Sequence, residues 1–547
     1  MIAAPDSAVE GRLKARVCII GAGAAGIALA CELDGAGFDV LLLEAGGLKL
    51  AEELADYYRG SATPPHPDAA QFRRVVFGGT TGVWGGRCIP FDPIDLQVRD
   101  YVSHSGWPIG YEELASFYPA AMKYCDAGHF DFQSASALPQ PTPTIPGLTS
   151  DDVIAAGGIE RYSLPTNFGA RYRKKIQESR NVTALLGLRC VRLVRAPGEM
   201  RILTIEVADK AGQKFTVNAD VFVLATGGIE VPRMLLFSDR EGSGFGNAGD
   251  AVGRYYMCHF ENNCGRLIPA PGKVAFMFER TVDGVYCRRQ LRFTPQAQQR
   301  HGLLNTAFRL HFPSYSDASH GSSVMSTIYL AKSALIPEYR VILEHGLEAQ
   351  PSPALAHVRN VVRGIPQLLE FAGDYIFRIK LARRKLPYTL VPNADGSYPL
   401  EFNSEQTPSA SNRITLTGEA DRHGLPRVQV AWRLSEADTD SAYRACLLLQ
   451  DSLHTRGVCR LEFDTERLHQ RIGHSVPLGG HHIGTARMAA SPRDGVVDSN
   501  CAVFGLTNLF IASSAVFPTS SHANPTLTIV ALAVRLARHL RERLVTP

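Results

Sequence analysis

Arg16-Val-Cys-Ile-Ile-Gly-Ala-Gly-Ala-Ala-Gly26, followed closely by Asp39-Val-Leu-Leu-Leu-Glu44, decides how this chain is read. A short apolar run enters a glycine turn, a helical stretch continues to about Ala36, and a second apolar run ends in an acid. This is the strand–turn–helix–strand pattern of a dinucleotide-binding unit. Gly21 permits the tight turn, Gly23 lets backbone approach a pyrophosphate, and Gly26 lets the helix lie close on the strand. The helix N-terminus then faces the phosphates, and Glu44 is placed to bind ribose hydroxyls. The motif leaves NAD and FAD both open.

Three further stretches carry the same small-residue character. Val75-Val-Phe-Gly-Gly-Thr-Thr-Gly-Val-Trp-Gly-Gly-Arg-Cys88 is a loop with glycines at 78, 79, 82, 85 and 86. Such a loop brings N–H donors close to a flat ligand. The apolar run Val221-Phe-Val-Leu-Ala-Thr-Gly-Gly228 leads through Ile229–Arg233 into a predicted helix. Near the C-terminus stand Gly479-Gly-His-His-Ile-Gly-Thr-Ala-Arg-Met488 and Val516-Phe-Pro-Thr-Ser-Ser-His-Ala-Asn-Pro-Thr-Leu-Thr-Ile529. Each sets a residue able to take or hold a proton (His481 or His482; Asn524) beside turn-forming neighbours. A nucleotide motif at one end and a His/Asn pair at the other predict a chain folded back around a redox cofactor.

At 547 residues the chain exceeds one ordinary core, so two domains are expected. The net charge of +4 is too small to indicate nucleic-acid binding. Eleven cysteines, an odd number without Cys-x-x-Cys spacing, argue against a zinc site, a haem-attachment site or an iron–sulfur cluster. No metal is expected. Reduced cysteines, no apolar leader in Met1–Arg16 and no membrane-length apolar run together predict a cytoplasmic protein.

The region from about 270 to 470 differs in character. Gln290–Phe293, Thr306–His311 and Val324–Tyr329 alternate as strands of an antiparallel sheet, which Arg413–Thr417 and Val428–Trp432 would extend. Ala354–Arg384 is basic, with apolar residues at helical spacing. It reads as a solvated helix packed on that sheet, with a membrane surface or partner subunit as the alternative. Gln406, Asn412 and Arg413 either meet a hydroxyl-rich ligand or cap strands. The expected fold is a Rossmann-like α/β dinucleotide-binding domain plus an α+β substrate domain with a mostly antiparallel sheet. The division falls at residues 1–270 with 470–547 for the first, and 271–469 for the second.

With these motifs the chain resembles the glucose–methanol–choline (GMC) oxidoreductases, FAD-dependent enzymes that oxidise alcohols and sugars. The resemblance is strongest over Val17–Gly46, Phe77–Pro108, Val221–Arg233 with Val252–His259, and His481–Ala533. The wording of the last block is closest to the pyranose-oxidase and bacterial sugar-dehydrogenase branch, which pairs His with Asn. The resemblance implies His481 as the catalytic base and Asn524 as its partner, with His482 and His522 structural. It implies FAD contacts from Gly21, Gly23, Ala24, Ala25, Gly26, Glu44 and Ala45. Further contacts are implied from Gly78, Gly79, Thr80, Gly82, Val83, Trp84, Gly85 and Gly86, from Val191, Ala225, Thr226 and Gly227, and from Ala512, Ser513, Asn524, Pro525 and Thr526. Two departures stand out. Val83 occupies the position where some pyranose oxidases tether FAD through a histidine, so the flavin is expected to be non-covalent. Ala512-Ser513 stands where several members have Asp-Gly.

The implied reaction is FAD-dependent oxidation of an alcohol, foremost a secondary hydroxyl of a sugar or glycoside. A neutral histidine suits the alcohol proton, and an amide can hydrogen-bond the developing alkoxide. Oxygen or an external acceptor such as a quinone or cytochrome would take the electrons, with a dehydrogenase preferred. A homo-oligomer or a partner subunit is compatible with the sequence. The alternatives are a lipid-like alcohol substrate, a non-redox hydroxynitrile lyase, a non-catalytic flavoprotein subunit, and a nicotinamide dehydrogenase. The last is disfavoured because it leaves the Gly78–Gly86 loop and the C-terminal motifs without a role.

Overall fold

The structure is a computed structural model that describes residues 1–3, 13–195, 198–238, 245–332, 352–388, 390–391, 393, 395–477 and 480–545. Gly479, at the head of the histidine run, lies outside them.

Lys14–Ile20 is a strand with Val40–Glu44 on one side and Lys214–Leu224 on the other, both parallel to it. Val40–Glu44 is buried throughout, as a strand covered on both faces by helices must be. Ile2–Ala3 and Val182–Leu186 extend the parallel part beyond Val40–Glu44, and Leu509–Ile511 joins it beside Lys214–Leu224. The sheet ends in the antiparallel strands Ile202–Ala208 and Arg189–Arg195. Helix Ala24–Glu32 follows the glycine turn and packs against the C-terminal helix Thr526–Val545. The packing has no room to spare at Gly26, where a Cβ would stand 1.9 Å from the Gly21 carbonyl oxygen.

The second sheet runs Cys459–Glu462, Phe260–Pro269, Tyr398–Ser404, Thr306–Leu310, Tyr286–Phe293, Ile154–Tyr162, Arg87–Cys88, with antiparallel pairing throughout. One face carries an apolar core that includes Phe260, Phe308, Phe402 and Leu400. The division at residue 270 is therefore redrawn: Arg87–Cys88, Ile154–Tyr162 and Phe260–Pro269 belong to this sheet. Strand pairing, which joins residues distant in the chain, sets the boundary that sequence order suggested elsewhere.

Three other expectations change. Val324–Tyr329 lies in the helix Ser323–Leu330, started by Ser322, whose hydroxyl accepts from Met325 N. Arg413–Ala420 and Pro426–Ala431 are strands, but they form a separate three-stranded sheet with Gly60–Ala62. Ala354–Arg384 is broken at Gly364 into Ala354–Arg363 and Ile365–Asp374, then a wide turn Tyr375–Lys380. Its two helices pack on Ser323–Leu330, through His357 against Ser326 and Gln367 against Ser323, while Arg384 at the end of the segment donates to the Tyr162 carbonyl of the sheet. Its outer side leaves Leu355, Val362, Leu369 and Phe377 exposed.

A buried ionic knot ties the first sheet to the three-stranded sheet. Asp421 accepts from Arg189 at 2.6 Å and from Arg233 at 2.8 Å, while Glu230 accepts from Arg73 at 2.8 Å. No helix among the described residues is long and apolar enough to cross a membrane. All eleven cysteines are buried and none is in a disulfide.

Candidate active site

A cavity of 1590 Å³ runs between the two large sheets. It exceeds the ~300–1,000 Å³ of an ordinary small-molecule site, leaving room for a dinucleotide and a substrate together. Gly21, Gly23, Ala24, Ala25, Glu44 and Ala45 line one end; Gly79, Thr80, Val83, Trp84, Gly85 and Gly86 line the middle. Ala225, Thr226, Gly227, Ala512, Ser513, Asn524, Pro525 and Thr526 complete the wall with His481. Gly26, Gly78, Gly82 and Val191 do not line it. Gly26 packs on Gly21, Gly78 on Gly169, Gly82 faces Asn167, and Val191 is buried in the core while its neighbours Arg189 and Cys190 face inward.

The lining fits a dinucleotide. Helix Ala24–Glu32 starts at Gly23 with no side-chain cap, so its first N–H groups are open to an anion. A Cβ at Gly23, Gly85 or Gly227 would meet nothing within 4 Å, so backbone there is open to close approach. Thr226 Oγ1 is buried without a hydrogen-bond partner, a group whose desolvation a ligand would offset. Glu44 accepts from Ala22 N at 3.0 Å and Gly46 N at 2.8 Å, bracing the turn as well as facing the cavity. Burial pushes its carboxyl up to about 7 despite those two N–H donors.

The reacting end is assembled by an antiparallel bridge. Met257 and Ile483 exchange backbone hydrogen bonds of 2.9 and 3.1 Å. Two residues outward on each strand, this register sets His259 opposite His481, with 2.7 Å between their Nδ1 atoms. On its other side His481 Nε2 lies 3.1 Å from Asn524 Nδ2, and Asn524 Oδ1 accepts from Arg87 Nε at 2.5 Å. A guanidinium can only donate, so Oδ1 faces Arg87 and the amide donates to His481 Nε2. Burial pushes His481 well below its ordinary value, with His259, Arg87 and His482 adding to the shift. A neutral imidazole with its lone pair on Nε2 results.

His482 and His522 have other surroundings. The Tyr256 hydroxyl sits among His482 Nδ1 at 2.6 Å, His66 Nε2 at 2.9 Å and Cys258 Sγ at 3.1 Å. His66, Cys258 and His482 form the one group among the described residues with metal-ligand atoms all within 4.8 Å, and a phenol oxygen contacts all three. His522 is 1% exposed beside Asp92. Gln406 and Asn412 are structural: Gln406 holds Cys258 N, Trp432 Nε1 and the Arg433 carbonyl, and Asn412 holds Arg433 backbone. Arg413 pairs with Asp250 and does not line the cavity.

The second sheet supplies a polar wall that sequence reading missed. Six successive strands present Glu261, Glu401, Arg309, Arg288, Glu160 and Arg87 on the face toward the cavity. Arg309 reaches Glu160 at 3.3 Å, Glu401 at 3.2 Å and Glu261 at 3.5 Å, and Arg87 lies 3.9 Å from Glu160. Burial and the neighbouring Glu401 push Glu261 up to about 8. Glu261, Asn262, His311, Tyr388 and Glu401 line the cavity with Arg87. The alternation of Glu261 and Asn263 along Phe260–Pro269 was the available signal, but it acquires meaning only once the strands are paired.

Residues 408–533 match the family model described as GMC oxidoreductase. The chain is 23% identical to the fructose dehydrogenase large subunit of Gluconobacter japonicus, over 96% of this chain and 97% of that protein. It is 33% identical to a C-glycoside 3-oxidase of Microbacterium trichothecenolyticum across 146 residues, a quarter (25%) of each. Pyridoxine 4-oxidase from Mesorbium loti shares the fold with a TM-score of 0.53 at 18% identity, covering 96% of this chain and 99% of that one.

Proposed function

We propose, for a chain that belongs to the glucose–methanol–choline oxidoreductases and is an FAD-binding enzyme, the oxidation of a secondary hydroxyl on a sugar or glycoside. The observation that carries this reading is one cavity lined by the dinucleotide turn, by His481 with Asn524, and by a wall of carboxylates and arginines. FAD, which Val83 cannot tether covalently, would supply the hydride acceptor. His481 Nε2 takes the hydroxyl proton, and the Asn524 amide donates to the oxygen as charge develops on it. Arg87, by gripping Asn524 Oδ1, fixes which way that amide points.

Glu261, Glu401, Asn262 and His311 suit a polyhydroxylated ligand, because carboxyl, amide and imidazole groups hydrogen-bond several hydroxyls, whereas an apolar alcohol would only desolvate this polar lining. The printed names of a fructose dehydrogenase subunit and a C-glycoside oxidase among the relatives support a sugar-like substrate. We place the electron acceptor outside the chain and favour a dehydrogenase.

The test is a panel of sugars, glycosides and simple alcohols mixed anaerobically with purified protein, following flavin bleaching, then aerobically following peroxide. A sugar or glycoside should bleach the flavin, and His481→Ala should keep bound FAD while slowing bleaching by about 10²–10⁴-fold, the usual worth of a general base. Equal bleaching by that variant removes His481 from the reaction. Bleaching by apolar alcohols alone removes the sugar reading.

A further inference from the structure

The hydrogen-bonded line through His481 has two ends whose chemistry is not in doubt. At one end Arg87 can only donate, and at the other the Ser520 carbonyl can only accept. His259 Nε2 lies 2.9 Å from that carbonyl oxygen and so must carry a proton to donate there. A neutral His259 then has a bare lone pair on Nδ1, and that atom faces His481 Nδ1 at 2.7 Å. Two lone pairs cannot meet at that distance, so His481 carries its proton on Nδ1 and leaves Nε2 unprotonated. The reading from the Arg87 end, through Asn524, gives the same tautomer. Every donor along the line therefore points the same way, from the guanidinium to the carbonyl.

We propose that His259 is a positioning residue that holds His481 in the base-competent tautomer and stabilises the imidazolium that forms on proton uptake. The inference rests on His481 being the base. The step balances simply: the alcohol O–H breaks, its proton goes to His481 Nε2, and the hydride leaves with the oxidised carbon's electron pair to bound FAD. The imidazolium keeps its Nδ1–H against the His259 lone pair, and that bond is charge-assisted and stronger than its neutral precursor. A contact that tightens as the proton arrives favours the transition state over the ground state.

Geometry and surroundings support a dedicated role. His259 is 2% exposed, and burial pushes its imidazole down to about 4, so the ring is neutral at neutral pH. The groups facing it are His481 from the histidine run, Ser520, Ser521 and His522 from the C-terminal segment, and Arg87 from the short edge strand. Arg87 disfavours positive charge on His259 and His481 alike; the Ser520 carbonyl keeps the His259 proton on Nε2 and its Nδ1 lone pair toward His481.

The test compares His259→Phe with His259→Asn in FAD-loaded enzyme. Asn sets a carbonyl oxygen where Nδ1 stood, keeping the acceptor for His481; Phe keeps ring volume and removes both polar atoms. His259→Phe should retain FAD and KM, lose about 100-fold in anaerobic flavin reduction, the low end of a base's contribution, and shift its acid limb to lower pH. His259→Asn should recover most of that rate, staying within about tenfold of wild type. If His259→Phe fails to fold, His259→Asn against His259→Ala gives the same comparison. Separately, ¹⁵N-histidine spectra of the FAD-loaded enzyme, with His481 assigned by its loss in His481→Ala, read the tautomer without turnover. An Nδ1–H pattern in wild type and His259→Asn that is lost in His259→Phe supports the inference. A pattern indifferent to position 259, or a fully active His259→Phe, overturns it while leaving His481 as base. A fully active His481→Ala overturns the base reading, and the spectra still decide the tautomer.

Discussion

Replacing Asn524 by Asp changes one atom and reverses one hydrogen bond. The amide now donates to His481 Nε2 across 3.1 Å; a carboxylate oxygen there would instead demand a proton from it. At that separation a carboxylate and an imidazolium attract by about 5 kcal/mol at an effective dielectric of about 20, equivalent to about 4 pK units. Arg87, on the other oxygen at 2.5 Å, offsets much of that charge, and we expect a net rise in the His481 pKa of about 2 units. The sign follows from the role. The proposed base works only when neutral, so raising its pKa should move the acid limb of flavin reduction upward by about 2 units. Within that window Asn524→Asp should lose up to about 100-fold. The assay is anaerobic stopped-flow bleaching from pH 5 to 9 at saturating substrate, with FAD content measured in parallel. Loss of the amide donor would lower the plateau as well, but only the charge moves the limb. An acid limb at the wild-type position, in protein that holds its FAD, refutes the reasoning.

Three further substitutions have expected outcomes. Glu44→Gln sets an amide against one of the two N–H groups the carboxylate now accepts, Ala22 or Gly46, and should weaken FAD binding about tenfold by fluorescence titration. The folded Glu44 carboxyl holds a proton between 4.5 and about 7 that the unfolded chain has released, so apoprotein Tm should fall as pH rises through that window; Glu44→Gln should flatten that slope. Gly26→Ala drives a methyl into the Gly21 carbonyl 1.9 Å away and should yield protein that neither binds FAD nor unfolds cooperatively. Asp421→Ala leaves Arg189 and Arg233 buried without their shared acceptor, costing about 3–5 kcal/mol in denaturant unfolding.

The fold of the nucleotide half was legible because its signals are local. The turn Gly21–Gly26, the strand before it and Glu44 after it fall within thirty residues, so turn chemistry and apolar runs reveal them together. His481 and Asn524 were legible through their motifs, and the structure brings them into contact. The second sheet was harder because antiparallel pairing joins residues far apart, and Ile154–Tyr162 sits in it beside Tyr286–Phe293. Val324–Tyr329 misled because its pattern serves either period, and a serine cap decided for helix. Arg87 and His259 carried no pattern of their own: one ends a glycine loop, the other precedes a strand. Only the register Met257 to Ile483 gives His259 its partner.

The charged row across the second sheet has a bearing on assembly as well as on ligand choice. Side chains alternate between faces along each strand, so sliding any of the six strands by one residue would turn its charge toward the core of Phe308, Phe402 and Leu400. An arginine or glutamate stranded there, away from its counterion, is far costlier than a misplaced leucine. Misaligned sheets are thus penalised at several rungs at once, so the wall that greets the ligand also proofreads the pairing that builds it.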